Sequence, residues 1–128
     1  MFKLSQKSDY GLILLSNVAK SKGVISVSSV AKKNKLSSKF LSQVANELKK
    51  AGIITSKEGV SGGYSLAKAA NEIKILDVLV ALDGGLVKGD CFEEDHECNC
   101  GAKDMWISMK QQMEETIGRK TVADLVVR

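Results

Sequence analysis

Three cysteines, Cys91, Cys98 and Cys100, stand within ten residues of a 128-residue chain, and its one histidine, His96, stands among them. Thiolates on a loop are the usual ligands of iron–sulfur clusters. Three thiolates and an imidazole also suit tetrahedral zinc. A third chemistry needs no metal, because Cys98 and Cys100, with a single residue between them, can act as a redox pair. The same stretch carries five acids, Asp90, Glu93, Glu94, Asp95 and Glu97. Their charge disfavours free thiolates and lowers the reduction potential of any cluster held there. An odd number of crowded cysteines does not resemble a secreted disulfide framework. With an N-terminus that lacks an apolar targeting core, it points to a reducing cytoplasm.

The second chemistry is polyanion binding. Residues 1–68 carry 12 lysines against three acids, a net +9, and residues 69–128 carry 7 basic residues against 12 acids, a net −5. A basic front half is the electrostatic footprint of a surface that meets nucleic acid. Within it, Ser38, Lys39, Ser42, Gln43, Asn46 and Lys50 share one face of a helix expected over 38–51. Phe40, Leu41, Val44, Ala45 and Leu48 share the other. Small polar side chains near a helix N-terminus are what major-groove reading uses. Glutamine pairs with adenine, lysine with guanine or phosphate, and serine with several base edges. A merely solvated polar face would look the same in this helix alone, so its neighbours must decide between the two.

Those neighbours have an order. A helix over 6–21 is expected from Tyr10, Ile13, Leu14 and Val18, with Leu12 and Leu15 widening the stripe and Gly23 ending it. A connector or strand at 24–27, a short helix at 28–33 and a turn at 34–36 follow. Ser37 is placed to cap the next helix. Strands at 53–56 and 64–67 flank a glycine-rich loop in which Lys57, Gly59 and Ser61 are candidates for DNA-backbone contact. Lysine supplies charge there, and glycine permits close approach. A helix at 75–83 ends at Gly84-Gly85, the cysteine loop fills 86–101, and helices at 102–118 and near 121–126 complete the chain.

The predicted fold is therefore mainly α with a small β-hairpin wing: a winged helix-turn-helix plus a long C-terminal dimerisation helix. It divides into a DNA-binding domain (1–83), a cysteine-containing sensor loop (84–101) and a dimerisation helix with the C-terminal segment (102–128). In the long helix Met105, Trp106, Met109, Met113 and Ile117 form one apolar stripe, on an element about 25 Å long. A stripe that long in so small a domain reads as a homodimer interface. Two-fold proteins read paired half-sites, so the expected partner is double-stranded DNA carrying a near-palindromic operator. No apolar run approaches the ~20 residues of a membrane span, so a soluble, cytoplasmic protein without a membrane partner is expected. One histidine, no nucleophile–base motif and no phosphate-cradling loop argue against an enzyme. An electron carrier would leave the basic half and the polar helix face unexplained.

Several stretches resemble one family in order and spacing. They are Leu4 to Leu12 (LSQKSDYGL), Phe40 to Val44 (FLSQV), Leu48 to Ile54 (LKKAGII), Gly59 to Leu66 (GVSGGYSL), Leu82 to Gly85 (LDGG) and Val122 to Leu125 (VADL). Together with the cysteine loop and Trp106 they look like the Rrf-two family of winged helix-turn-helix transcription regulators. The resemblance runs nearly end to end. It implies a dimeric regulator, often one that senses iron–sulfur status, nitric oxide or thiol metabolism. It also favours a 2Fe–2S or 4Fe–4S cluster on Cys91, Cys98 and Cys100 over zinc or a metal-free loop. Cys91 and Cys100 match the family's first and third cysteines, whereas Cys98 is displaced and leaves gaps of six and one. The family position that carries a histidine ligand in some members is Lys103 here, a poor ligand while protonated. The implied fourth ligand is then Asp9, which matches a carboxylate supplied by the partner subunit in the nitric-oxide sensors, or His96, with Glu93, Glu94 and Glu97 as weaker options. The wing departs from the family as well. Glu58 replaces an arginine that many cluster-sensing members place in the minor groove, and an acid there is repelled by phosphate.

Overall fold

The computed structural model describes residues 5–21, 23–84 and 101–126. Helix α1 (Gln6–Lys20) starts at Ser5, whose side chain accepts the Ser8 N–H at 3.0 Å. Tyr10, Gly11, Leu14, Leu15 and Val18 are buried along it. Leu14 and Leu15 are both fully buried. Adjacent helix positions point about 100° apart, so α1 is covered on two sides. The helix ends earlier than expected. Ser21 takes an extended conformation after its N–H bonds the Asn17 carbonyl, so Gly23 lies beyond the cap.

Helix α2 (Val27–Asn34) is capped by Ser26 and closed by Lys35 in the left-handed region. Helix α3 (Ser38–Lys50) begins at Ser37, as its sequence indicates, with the Phe40 N–H donating to Ser37 Oγ at 3.2 Å. Strands β1 (Ile54–Lys57) and β2 (Gly63–Leu66) form an antiparallel hairpin with Ile54 opposite Leu66 and Lys57 opposite Gly63. Both run one residue out of the expected spans. Just before β1, the Ile53 N–H is taken by the Leu48 carbonyl at the end of α3, while the Ile53 carbonyl accepts the Ala67 N–H at 3.0 Å. The expected connector at 24–27 adds one bridge, Ile25 to Tyr64, through two backbone hydrogen bonds of 3.0 and 2.8 Å.

Helix α4 (Ile75–Asp83) ends at Gly84 in the left-handed conformation, as expected. It crosses α1 at Gly11, where a Cβ would stand 2.3 Å from Leu82 Cδ1. Helix α5 (Gly101–Gly118) rests on α4, yet each of its residues is half-buried or exposed. The chain then returns to the core. Val122 is fully buried, its N–H bonds the Ile73 carbonyl at 2.9 Å, and Ser16 Oγ donates to the Leu125 carbonyl at 3.1 Å. This last segment is a 3-10 turn (Val122–Leu125) rather than an α-helix, held by a capping box of Thr121 and Asp124. Four residues are too few for an α-helical ladder, and the box satisfies the free N–H groups locally. No described helix is long and apolar enough to cross a membrane.

The α1–α4 crossing is testable. Gly11→Leu, which inserts four carbons against Leu82, is expected to lower stability by about 2 kcal/mol through overpacking. An unchanged thermal midpoint would show that the two helices do not cross there.

Candidate DNA-binding surface

The helix-turn-helix is set by three local devices. Val30 and Ala31 anchor α2 in the core. Lys35 reverses the chain in the left-handed region, and the Leu36 N–H reaches back to the Ala31 carbonyl at 2.8 Å. Ser37 then starts α3, with Leu41, Val44, Ala45 and Leu48 buried beneath it. Ser38, Lys39, Ser42, Gln43, Asn46 and Lys50, the residues read from sequence as the polar face, are all exposed. The lone acid of α3, Glu47, sits at the edge of that face and is neutralised by Lys7, Nζ to Oε1 at 3.0 Å. With no acid in its first turn, the α3 N-terminus presents free N–H groups and Lys39 together. Both favour an anion, and the polyanion of the DNA backbone in particular.

α1 fixes where this end of α3 sits. The Tyr10 ring lies edge-on to Phe40 with centroids 4.8 Å apart and planes at 76°, and its hydroxyl accepts the Ser37 N–H at 3.4 Å. Beside it, Lys32, Lys33 and Lys35 are exposed where α2 meets the turn. The sequence reading did not single them out. Their position, at the end of the first helix of the motif, is the available signal, because that helix crosses the phosphate backbone in such motifs.

The wing projects from the same side of the chain order, directly after α3. Lys57 ends β1, exposed, and Gly59 and Ser61 lie in the exposed loop that follows. The loop is tight: the Gly62 N–H bonds the Gly59 carbonyl at 3.0 Å, and a Cβ on Gly62 would stand 2.3 Å from the Lys57 carbonyl. Glu58 and Val60 are exposed at its tip, Val60 completely. Thr55 and Ser65, paired across the two strands, share a side-chain hydrogen bond of 3.2 Å.

The remaining sequence candidates fall elsewhere. Asp9 is exposed in the first turn of α1. Met105 is 53% exposed on α5, whereas Trp106, Met109, Met113 and Ile117 are half-buried, and Ile117 packs against the core. Cys91, His96, Cys98 and Cys100 lie outside the described residues. Among the described residues no group of three metal-ligating side chains comes together.

The chain as a whole has known relatives. The family model named Rrf2, described as an iron-dependent transcriptional regulator, matches residues 4–128. The chain belongs to the Rrf2 family. This Rrf2-family chain is 30% identical over 125 residues to the transcriptional regulator CymR of Bacillus subtilis (strain 168), covering 96% of this chain and 88% of CymR. The solved structure of B. subtilis CymR, described as the global cysteine regulator, matches it with a TM-score of 0.82 at 32% identity, over 98% of this chain and 96% of that one. IscR of T. potens matches with a TM-score of 0.78 at 29% identity, over 96% and 85%. This Rrf2-family protein is thus a winged-helix, DNA-binding transcriptional regulator and not an enzyme.

Proposed function

We propose that this Rrf2-family regulator binds a near-palindromic operator as a homodimer, and that the cysteine segment sets its affinity through an iron–sulfur cluster. The reading rests on the uninterrupted polar face of α3, which projects outward from a buried apolar one beside a lysine-rich turn. In the proposed complex Ser38, Lys39, Ser42 and Gln43 meet base edges in the major groove, and Lys57, Gly59 and Ser61 hold the backbone.

The dimer reading is supported by α5. An 18-residue helix with no buried residue, carrying Met105, Trp106, Met109 and Met113 on one stripe, gains most from a second copy. Val80 on α4, the helix that α5 rests on, is a further exposed apolar side chain, 50% exposed. Burying such side chains contributes about 1.5–3 kcal/mol each.

The cluster reading rests on the donor set. Cys91, Cys98 and Cys100 supply three soft thiolates, which leaves one position for an oxygen or nitrogen ligand. Asp9 fits that position from a partner subunit because it is exposed on α1, and His96 fits it by sequence proximity. When bound, a cluster supplies a centre that reacts with oxidants and nitric oxide. A second reading keeps the fold and the DNA but senses through thiols or zinc. It is favoured by the single residue between Cys98 and Cys100 and by the similarity to CymR, described as a cysteine regulator.

Three outcomes check these readings. Gln43→Ala should remove about 1–3 kcal/mol of discrimination at one base position, whereas Lys57→Ala should weaken all duplexes alike and reduce the salt slope by about one. Titration of selected and scrambled duplexes separates the two effects, and equal losses from both variants would contradict the assignment. Met109→Glu should give monomers in sedimentation, since an unpaired buried charge costs several kcal/mol; an unchanged mass would place the interface elsewhere. Anaerobic reconstitution should give visible absorption that disappears in Cys91→Ser and in at least one of Cys98→Ser and Cys100→Ser. A colourless protein with full operator affinity would leave thiol or zinc sensing as the reading.

A further inference from the structure

Ser8 is the one fully buried polar side chain among the described residues. A serine inside a helix ordinarily turns its hydroxyl to solvent or to a carbonyl one turn back. Ser8 does neither. Its Oγ donates to Asp83 Oδ2, 75 residues away, and Ser5 Oγ donates to the same oxygen at 2.5 Å. Ser5 Oγ also accepts the Ser8 N–H, so cap, serine and carboxylate form one closed network. The carboxylate stands at the α1 N-terminus, where free N–H groups and the helix dipole favour an anion. The next residue back in α4, Leu82, packs against Gly11. The last turn of α4 therefore grips the first two turns of α1. On the same stretch of α1, Tyr10 is buried and holds Ser37 and Phe40, the cap and first turn of α3.

We propose that Asp83 is a positioning residue for DNA reading: through Ser5 and Ser8 it sets where α1 sits, and Tyr10 carries that setting to Ser37 and Phe40 at the end of α3 that meets the bases. The proposal rests on the reading of α3 as the base-reading helix. Satisfied polar networks of this kind select one geometry, where apolar packing alone tolerates sliding. A small axial displacement of α1 moves Tyr10, and with it the N-cap that aims Ser38, Lys39 and Ser42. A cap serving only stability would need neither the remote carboxylate nor the tyrosine on the adjoining turn.

The test uses the full chain with Asp83→Asn, Tyr10→Phe, the double variant and Gln43→Ala, each titrated with operator and with a scrambled duplex. Asp83→Asn keeps the size of the side chain and removes its charge. Its operator affinity is expected to fall about tenfold, within the usual range for linked sites, while scrambled-duplex binding is unchanged. Because Tyr10 acts in series, the double variant should be no weaker than the weaker single one. Amide resonances of Ser37, Ser38 and Phe40 should shift in Asp83→Asn and shift less when Tyr10 is already Phe. If Asp83→Asn does not fold, Ser8→Ala, which deletes one of the two donors, takes its place with the same expectations. Equal losses on both duplexes, multiplying losses in the double variant, or unmoved α3 amides would overturn the proposal and leave Asp83 a stabilising cap. If Gln43→Ala leaves base preference unchanged, the reading of α3 fails, and the positioning proposal falls with it.

Discussion

Helix α1 has to be buried on two sides at once, and the rest of the molecule is arranged around that constraint. Leu14 and Leu15 are adjacent and neither touches solvent, so no single partner can cover the helix. α3 and α4 cover part of it, and the 3-10 turn after Thr121 covers more. Each fully buried leucine contributes about 1.5–3 kcal/mol, which explains why a segment near the end of the chain is drawn back past α5 to place Val122 in the core. The price of this arrangement is close contact: α4 can approach only because position 11 carries no side chain. With α1 enclosed, Tyr10 is buried against the start of α3.

The same constraint separates binding chemistry from packing chemistry on α3. Its apolar residues are consumed by α1, α2, α4 and β1, so its polar residues face outward as a set. The one acid among them is tied off by Lys7 from α1. What remains is a neutral-to-basic face continuous in sequence with the lysines of the preceding turn. The wing does not repeat this balance, because Glu58 stands beside Lys57 at an exposed tip. Opposite charges on neighbouring exposed residues largely cancel at the distance of a phosphate.

Much of this is legible in the sequence because it is locally encoded. Ser37 and Gly84 mark helix ends through their own backbone and side-chain chemistry, and the alternation along 38–50 sorts buried from exposed without reference to any other element. The bases for the wing, the glycines of 59–63, are equally local. What the sequence does not reveal depends on distant partners. The strand bounds move by one residue, with the Ile53 N–H engaged by the end of α3, while the pairing of the two strands keeps Ile54 opposite Leu66. The helix stops at Ser21 although Gly23 is the better stop signal by residue type. Val122 joins the core, and Ser8 finds Asp83, only once the chain has closed on itself. Ser5-Gln6-Lys7-Ser8 reads as a helix start, and nothing in it announces a carboxylate at position 83.

A division of labour follows from where these residues sit. Substitutions at exposed positions away from caps and networks change stability by no more than about 0.5 kcal/mol. Ser42, Gln43 and Asn46 are such positions, so on the proposed reading of α3 base preference can change there with little effect on folding. Tyr10, Gly11, Ser37 and Leu82 have no such freedom, since each is held by packing or hydrogen bonds to a second element. The frame holds the N-terminal end of α3 in place through Tyr10. On the proposed reading of α3, the sequence recognised there depends on a few exposed side chains that the frame does not need.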